Sequence, residues 1–90
     1  MDGQSCPRRA DGLEVFQVAD GNMVYRADSD TMHHLNGSAA VIMELCDGTV
    51  AADDLPELLA EIFHLQEPPR EEARRCLETL FSLGLLVTRD

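Results

Sequence analysis

The sequence predicts an α+β domain in which a three-stranded antiparallel sheet precedes three helices. Three observations predict it. Three short apolar runs near the start of the chain are separated by turn residues, the pattern of an antiparallel meander. The stretch Ser38–Cys46 follows the last run directly and is almost wholly apolar; a helix apolar nearly all round is buried on most sides. Two later segments carry the i, i+3, i+4, i+7, i+8 apolar stripe of amphipathic helices.

Each element follows from local residue chemistry. Residues 1–12 carry Gly3, Pro7 and Gly12 among scattered charges, with no periodicity, and are expected to form a flexible N-terminus. Residues 13–90 are expected to fold as one domain. Val15, Phe16 and Val18 mark a first strand over Glu14–Ala19, and Asp20-Gly21-Asn22 is a turn. Met23-Val24-Tyr25-Arg26 is a second strand, Asp28-Ser29-Asp30 a second turn, and Thr31–Leu35 a third strand. Asn36 is placed to cap the first helix, because its side chain can accept from an orphan amide of the first turn. Gly48 stands where a left-handed C-terminal cap belongs.

The second helix is expected from Leu55, Leu58, Leu59, Ile62 and Phe63. Asp54 and Glu57 have the spacing of a capping box. Pro56 is tolerated only in a first turn, so the helix should not begin much before Asp53. His64–Glu67 reads as a loop, and Pro68-Pro69 opens the third helix, where a missing amide costs little. Ala73, Cys76, Leu77, Leu80 and Phe81 give its stripe. Gly84 ends it, and Leu85-Leu86-Val87 is a short strand or tail.

Charge narrows the class of partner. Seventeen acidic residues stand against seven basic ones, all Arg, for a net charge of −10. Phosphate backbones and anionic membranes would be repelled, which argues against nucleic acid and membrane as partners. No stretch approaches the roughly 18 apolar residues of a membrane span, and the first twelve residues hold no apolar run of a signal peptide. Cys6, Cys46 and Cys76 form no Cys-x-x-Cys and match no metal framework. Cys46 and Cys76 fall on apolar helix faces as small core residues. A reduced, cytoplasmic protein is the expected setting.

No constellation points to catalysis. His33 and His34 are neighbours on a strand, so their rings point to opposite faces and cannot chelate one ion together. The carboxylate pairs Asp53-Asp54, Glu71-Glu72 and Asp28/Asp30 lie at helix starts and in a turn, where acids favour cap amides and the helix dipole. No Ser-His-Asp arrangement, phosphate-binding glycine loop or cofactor motif can be assembled, and aromatic residues make up only 4% of the chain, too few for a stacking platform. Arg70, Arg74 and Arg75 are the one basic cluster. They form either a solvated face paired with Glu71, Glu72 and Glu78, or part of a groove that holds an acidic or polar peptide.

Taken together, Leu35-Asn36, Ser38-Ala39-Ala40, Leu45-Cys46-Asp47-Gly48, the stripe from Leu55 to Phe63, and Leu77 to Leu86 resemble, in order and spacing, the PqqD-like family of peptide-binding modules, also called RiPP recognition elements. The resemblance spans roughly residues 13–87. It implies a winged helix-turn-helix-like fold that binds the leader region of a ribosomally made precursor peptide. By this resemblance the peptide adds as a strand to the third strand, lies against the third helix, and is presented to a modifying enzyme such as a radical SAM maturase or leader peptidase. By position the peptide-binding residues would be Thr31, Met32, His33, His34 and Leu35 on the strand, and Arg74, Arg75, Glu78 and Thr79 on the helix. Family members often have Thr or Ser where the second helix begins, whereas this chain has Ala51, so that helix is expected to start late.

The residues themselves are compatible with that picture. A third strand leading straight into the central helix can leave an open edge, and an open edge is a template for strand addition. The same chemistry allows a homodimer. Two rivals remain at this level: an acidic subunit that docks on an enzyme without gripping peptide, and a winged-helix DNA-binding protein, which the net charge disfavours.

Overall fold

The computed structural model describes residues 5–89. In chain order the elements are β1 (Cys6–Arg9), β2 (Leu13–Val18), β3 (Gly21–Arg26), β4 (Thr31–Asn36), α1 (Gly37–Leu45), a 3-10 turn (Ala52–Asp54), α2 (Leu55–Phe63), α3 (Arg70–Ser82) and β5 (Leu86–Arg89). The expected α+β arrangement is present as the antiparallel sheet β2-β3-β4 followed by three helices. The third strand expected from sequence is β4.

The β2–β3 hairpin turns through Ala19 and Asp20, with Val18 opposite Gly21. The β3–β4 turn takes Asp30 through φ 51°, and the Tyr25 hydroxyl donates to Asp30 Oδ1 at 2.7 Å. The inner face of the sheet carries Val24 and Leu35, both buried. Asn36 then caps α1 as expected: it is extended, and its Oδ1 accepts from the Ala39 amide at 3.0 Å. Helix α1 packs against β3, β4, α2 and α3, so it is the centre of the core. Ile42, fully buried, and Met43, 2% exposed, are its deepest side chains.

Three local expectations are corrected. First, the segment read as a flexible N-terminus contains a strand. β1 pairs antiparallel with β5, Pro7 opposite Thr88, and residues 1–4 lie outside the described part. Cys6-Pro7-Arg8-Arg9 shows no alternation, and Pro7 removes a ladder donor, so nothing local announces a strand. It exists because β5 and the α1 terminus offer partners: Arg8 bridges Asp47, and Pro7 is buried.

Second, Gly48 is not the cap of α1. The helix ends at Leu45, and the Cys46 amide is shared between the Ile42 and Met43 carbonyls at 3.2 Å each. Gly48 does adopt φ 89°, but its amide donates to the Pro7 carbonyl at 3.0 Å, fastening β1 to the centre of the chain.

Third, the Asp54–Glu57 capping box does not form. Asp54 has helical φ/ψ and makes no side-chain cap bond, since the 3-10 turn delivers it already wound. Ala51 caps that turn without a side-chain bond, and the Ala52 amide is taken by the Ser5 carbonyl at 2.9 Å. Of the strand or tail expected at Leu85-Leu86-Val87, the strand forms, as Leu86–Arg89.

Helix α3 ends at Ser82 and is closed by Gly84, φ 77°, with the Leu85 amide reaching the Leu80 carbonyl at 2.9 Å, the six-to-one bond of a glycine-terminated helix. A methyl group on Gly84 would run into the Arg26 guanidinium, whose Nη1 donates to the Leu83 carbonyl at 3.0 Å. The sheet is thereby tied to the end of α3.

Cys46, just past α1, is a buried core residue, and Cys76 of α3 packs half-buried against the core. Burial, with smaller contributions from Cys76 and Asp47, pushes the Cys46 thiol up to about 12. Burial and then the Glu72 charge raise Cys76. Only the thiolate is nucleophilic, so native Cys46 should alkylate with iodoacetamide at pH 8 about a hundredfold more slowly than in urea-unfolded protein. Timed mass spectrometry of the peptide carrying Cys46 checks this; comparable rates would mean that α1 opens readily.

Candidate functional site

Strand order leaves β4 at an edge of its sheet, hydrogen-bonded to β3 on one side. Among the described residues no strand pairs with its other side. Thr31, His33 and Leu35 share the inner face, in line with Arg26, Val24 and Asn22. Met32 and His34 project from the outer face. Leu35 is buried, His33 half-buried, and Thr31, Met32 and His34 exposed. His34 Nε2 hydrogen-bonds Asp20 Oδ1 at 3.0 Å, and this bond, with the nearby imidazole, holds the Asp20 carboxyl below its ordinary range.

Helix α3 presents two distinct flanks. At about 100° per residue, Glu72, Cys76, Thr79 and Leu83 fall on one side of its buried stripe of Ala73, Leu77 and Leu80. Glu72 lines an open, mainly apolar cavity of about 260 Å³ with Ser38 and Ile42 of α1, Leu59 and Phe63 of α2, Leu65 and Pro69. Leu83 receives Arg26. This flank therefore meets α1 and α2 at the cavity, near where β4 enters α1, and meets β3 at Arg26. The other flank carries Arg70, Arg74 and Glu78, which line a separate cleft with Ala52, Asp53 and Pro56.

The site residues expected from sequence divide between these flanks. Arg75, Glu78 and Thr79 border a shallow depression with Ser82 and Leu83. Arg74 sits on the far flank, clamped by Glu71 at 2.6 Å and Glu78 at 2.8 Å. Those carboxylates raise the Arg74 guanidinium further above its usual range. Arg70 reaches Glu57 of α2 at 2.6 Å, and Arg75 lies 3.9 Å from Glu71. The solvated, internally paired reading of the basic cluster thus describes Arg70 and Arg74. Exposed pairs of this kind contribute little to stability.

Sequence reasoning missed Ser38, Phe63, Leu65, Pro69 and Glu72 around the cavity. Phe63 was assigned to the core stripe, yet it is 42% exposed, and Leu65 is 44% exposed. An apolar residue just past a helix stop was the available signal: His64 closes α2 in the left-handed conformation, φ 57°, and Leu65 follows it.

Among the described residues no three His, Cys, Asp or Glu side chains gather as a metal site, and His33 and His34 alternate as strand neighbours must. Asp53, Asp54, Glu71 and Glu72 are all exposed. No helix among the described residues is long and apolar enough to cross a membrane.

The geometry is an open edge on β4, and an α3 flank that lines an apolar cavity at Glu72 and meets Arg26 of β3 at Leu83. Comparison with known proteins identifies a family. A family model described as coenzyme PQQ synthesis protein D (PqqD) matches residues 21–86. No curated protein and no solved structure matches. The matched segment runs from the start of β3 to the first residue of β5, so it contains the open edge, the central helix and both amphipathic helices; over most of its length the chain belongs to the PqqD family.

Proposed function

We propose that this chain binds the leader region of a ribosomally synthesised precursor peptide and presents it to a modifying enzyme, a radical SAM maturase or a leader peptidase. The observation that carries this reading is the open edge of β4, with an α3 flank that reaches the cavity at Glu72 and Arg26 of β3 at Leu83, in a chain of the PqqD family. The peptide adds as a strand to Thr31–Leu35, with backbone hydrogen bonds supplying affinity and groove side chains supplying selectivity. Thr79 and Arg75 contact it from α3, and Glu78 lies at the margin. Arg74 serves the helix surface instead. The chain catalyses nothing itself, holds no cofactor, and works in the cytoplasm.

Titration of labelled protein with a synthetic leader peptide encoded near its gene tests this. Saturable amide shifts are expected at Thr31–Leu35 and at Glu72, Cys76, Thr79 and Leu83. Thr79→Arg should weaken binding at least about tenfold, the loss of about 1.4 kcal/mol, while Arg74→Ala changes it little. Shifts centred on Arg70 and Arg74 would place the peptide on the other flank. No shifts, with the fold intact, would discard that peptide and favour an acidic docking subunit. A winged-helix DNA reading has the net charge of −10 against it.

A further inference from the structure

The outer face of the β2-β3-β4 sheet is largely apolar, and among the described residues nothing covers it. Register places Phe16, Met23 and His34 in one row across the three strands, and Glu14, Tyr25 and Met32 in the next. Phe16 is 48% exposed, Met32 52% and Val18 40%. Soluble domains seldom leave so many large apolar side chains clustered on one surface without a use for them. Acids stand at both ends of the face. Asp20 lies at one end, bonded to His34. Glu14 and Asp30 lie at the other, around the Tyr25 hydroxyl. Arg26, the one Arg of this sheet, belongs to the inner face, where it reaches Leu83.

We propose that this outer face is the docking surface for the modifying enzyme, engaged through an apolar patch on that enzyme rimmed by Arg or Lys. The identity of the partner rests on the peptide-presenting function proposed above. Charge selects it. A second copy of this chain would bring another net charge of −10 and the same acidic ends against this face. A basic-rimmed partner would meet complementary potential.

The face is also continuous with the proposed peptide site. A peptide strand added to β4 extends the sheet and projects every second side chain onto its outer surface. The enzyme would then touch the module and the alternate residues of the peptide at once. Without peptide the face is roughly 20 Å by 10 Å, well below the roughly 800 Å² per partner of a stable interface. Docking is therefore weak alone and strengthened by the bound leader.

The test uses the radical SAM maturase or leader peptidase encoded beside this chain's gene. Its affinity for the full chain is measured with and without saturating leader peptide, at low and high salt. The expected results are at least fivefold tighter docking with leader present and weaker docking at high salt. Phe16→Glu should dock at least tenfold more weakly while leader affinity is unchanged. Cross-saturation from unlabelled enzyme to methyl-labelled wild-type protein should reach Val18, Met23 and Met32, which decides the matter even if the variant folds poorly. Saturation confined to the helices, unchanged docking of Phe16→Glu, or self-association of the protein alone through this face would overturn the proposal. If the enzyme occupies the outer face but no leader binds β4, the peptide-binding function fails and the docking surface stands.

Discussion

Replacing Ile42 with Ala is expected to cost about 3 kcal/mol of stability and lower the melting temperature by about 15 °C. Ile42 is fully buried in α1, and α1 packs on β3, β4, α2 and α3. A void left there cannot be closed by one neighbour without pulling the helix away from the others, so most of the cavity cost persists. Ile42 also floors the open cavity between the helices, and its loss would deepen that cavity. Ile42→Val should cost only about 1 kcal/mol. Urea unfolding of the three proteins checks this, with an unchanged m-value as the sign that only stability moved. A loss below about 1 kcal/mol for the Ala variant would mean that α1 is loosely held and is not the centre of the core.

Gly21→Ala should be comparably damaging, by about 2–3 kcal/mol, for a different reason. Gly21 opens β3 at φ 150° and lies opposite Asn36. A Cβ there would be driven into the Leu35 carbonyl oxygen and would stand 2.9 Å from the Asn36 carbonyl carbon. Both are backbone atoms, so no rotamer change relieves the clash. The end of β4 must move off β3, and it carries the α1 cap and the proposed peptide edge with it. Beyond the lowered melting point, amide shifts in the variant should concentrate at Leu35, Asn36 and Ala39. Leader affinity should fall at least about fivefold even at temperatures where the variant is fully folded. Full affinity in a destabilised variant would show that the peptide does not depend on the geometry of β4.

These two positions also show what local sequence conveys. Asn36 followed by an apolar run announced a capped, buried helix, because capping and burial depend on neighbours in the chain. The meander, the amphipathic stripes of α2 and α3, and the helix-ending Gly84 were legible on the same ground. Strand β1 was not, because its pairing with β5 joins opposite ends of the chain and Cys6-Pro7-Arg8-Arg9 has no alternation of its own. The failed capping box belongs with it: Asp54 has the right neighbours, but the 3-10 turn before it changes the backbone that a cap requires.

For the function, sequence alone determined the α+β class, the acidic character that disfavours nucleic acid, and the order of motifs that resembles the PqqD family. It also marked β4 as the strand that leads into the central helix. Only the tertiary structure decided that β4 is an edge and that α3 sets Glu72 in the cavity beside α1 and Leu83 against Arg26 while Arg70 and Arg74 line a separate cleft. It alone set Phe16, Val18, Met23 and Met32 together on one face that no other described element covers. Periodicity along a helix or strand says which residues share a side. Which side meets the core, a groove or solvent depends on contacts between elements distant in sequence, and those exist only once the chain has packed.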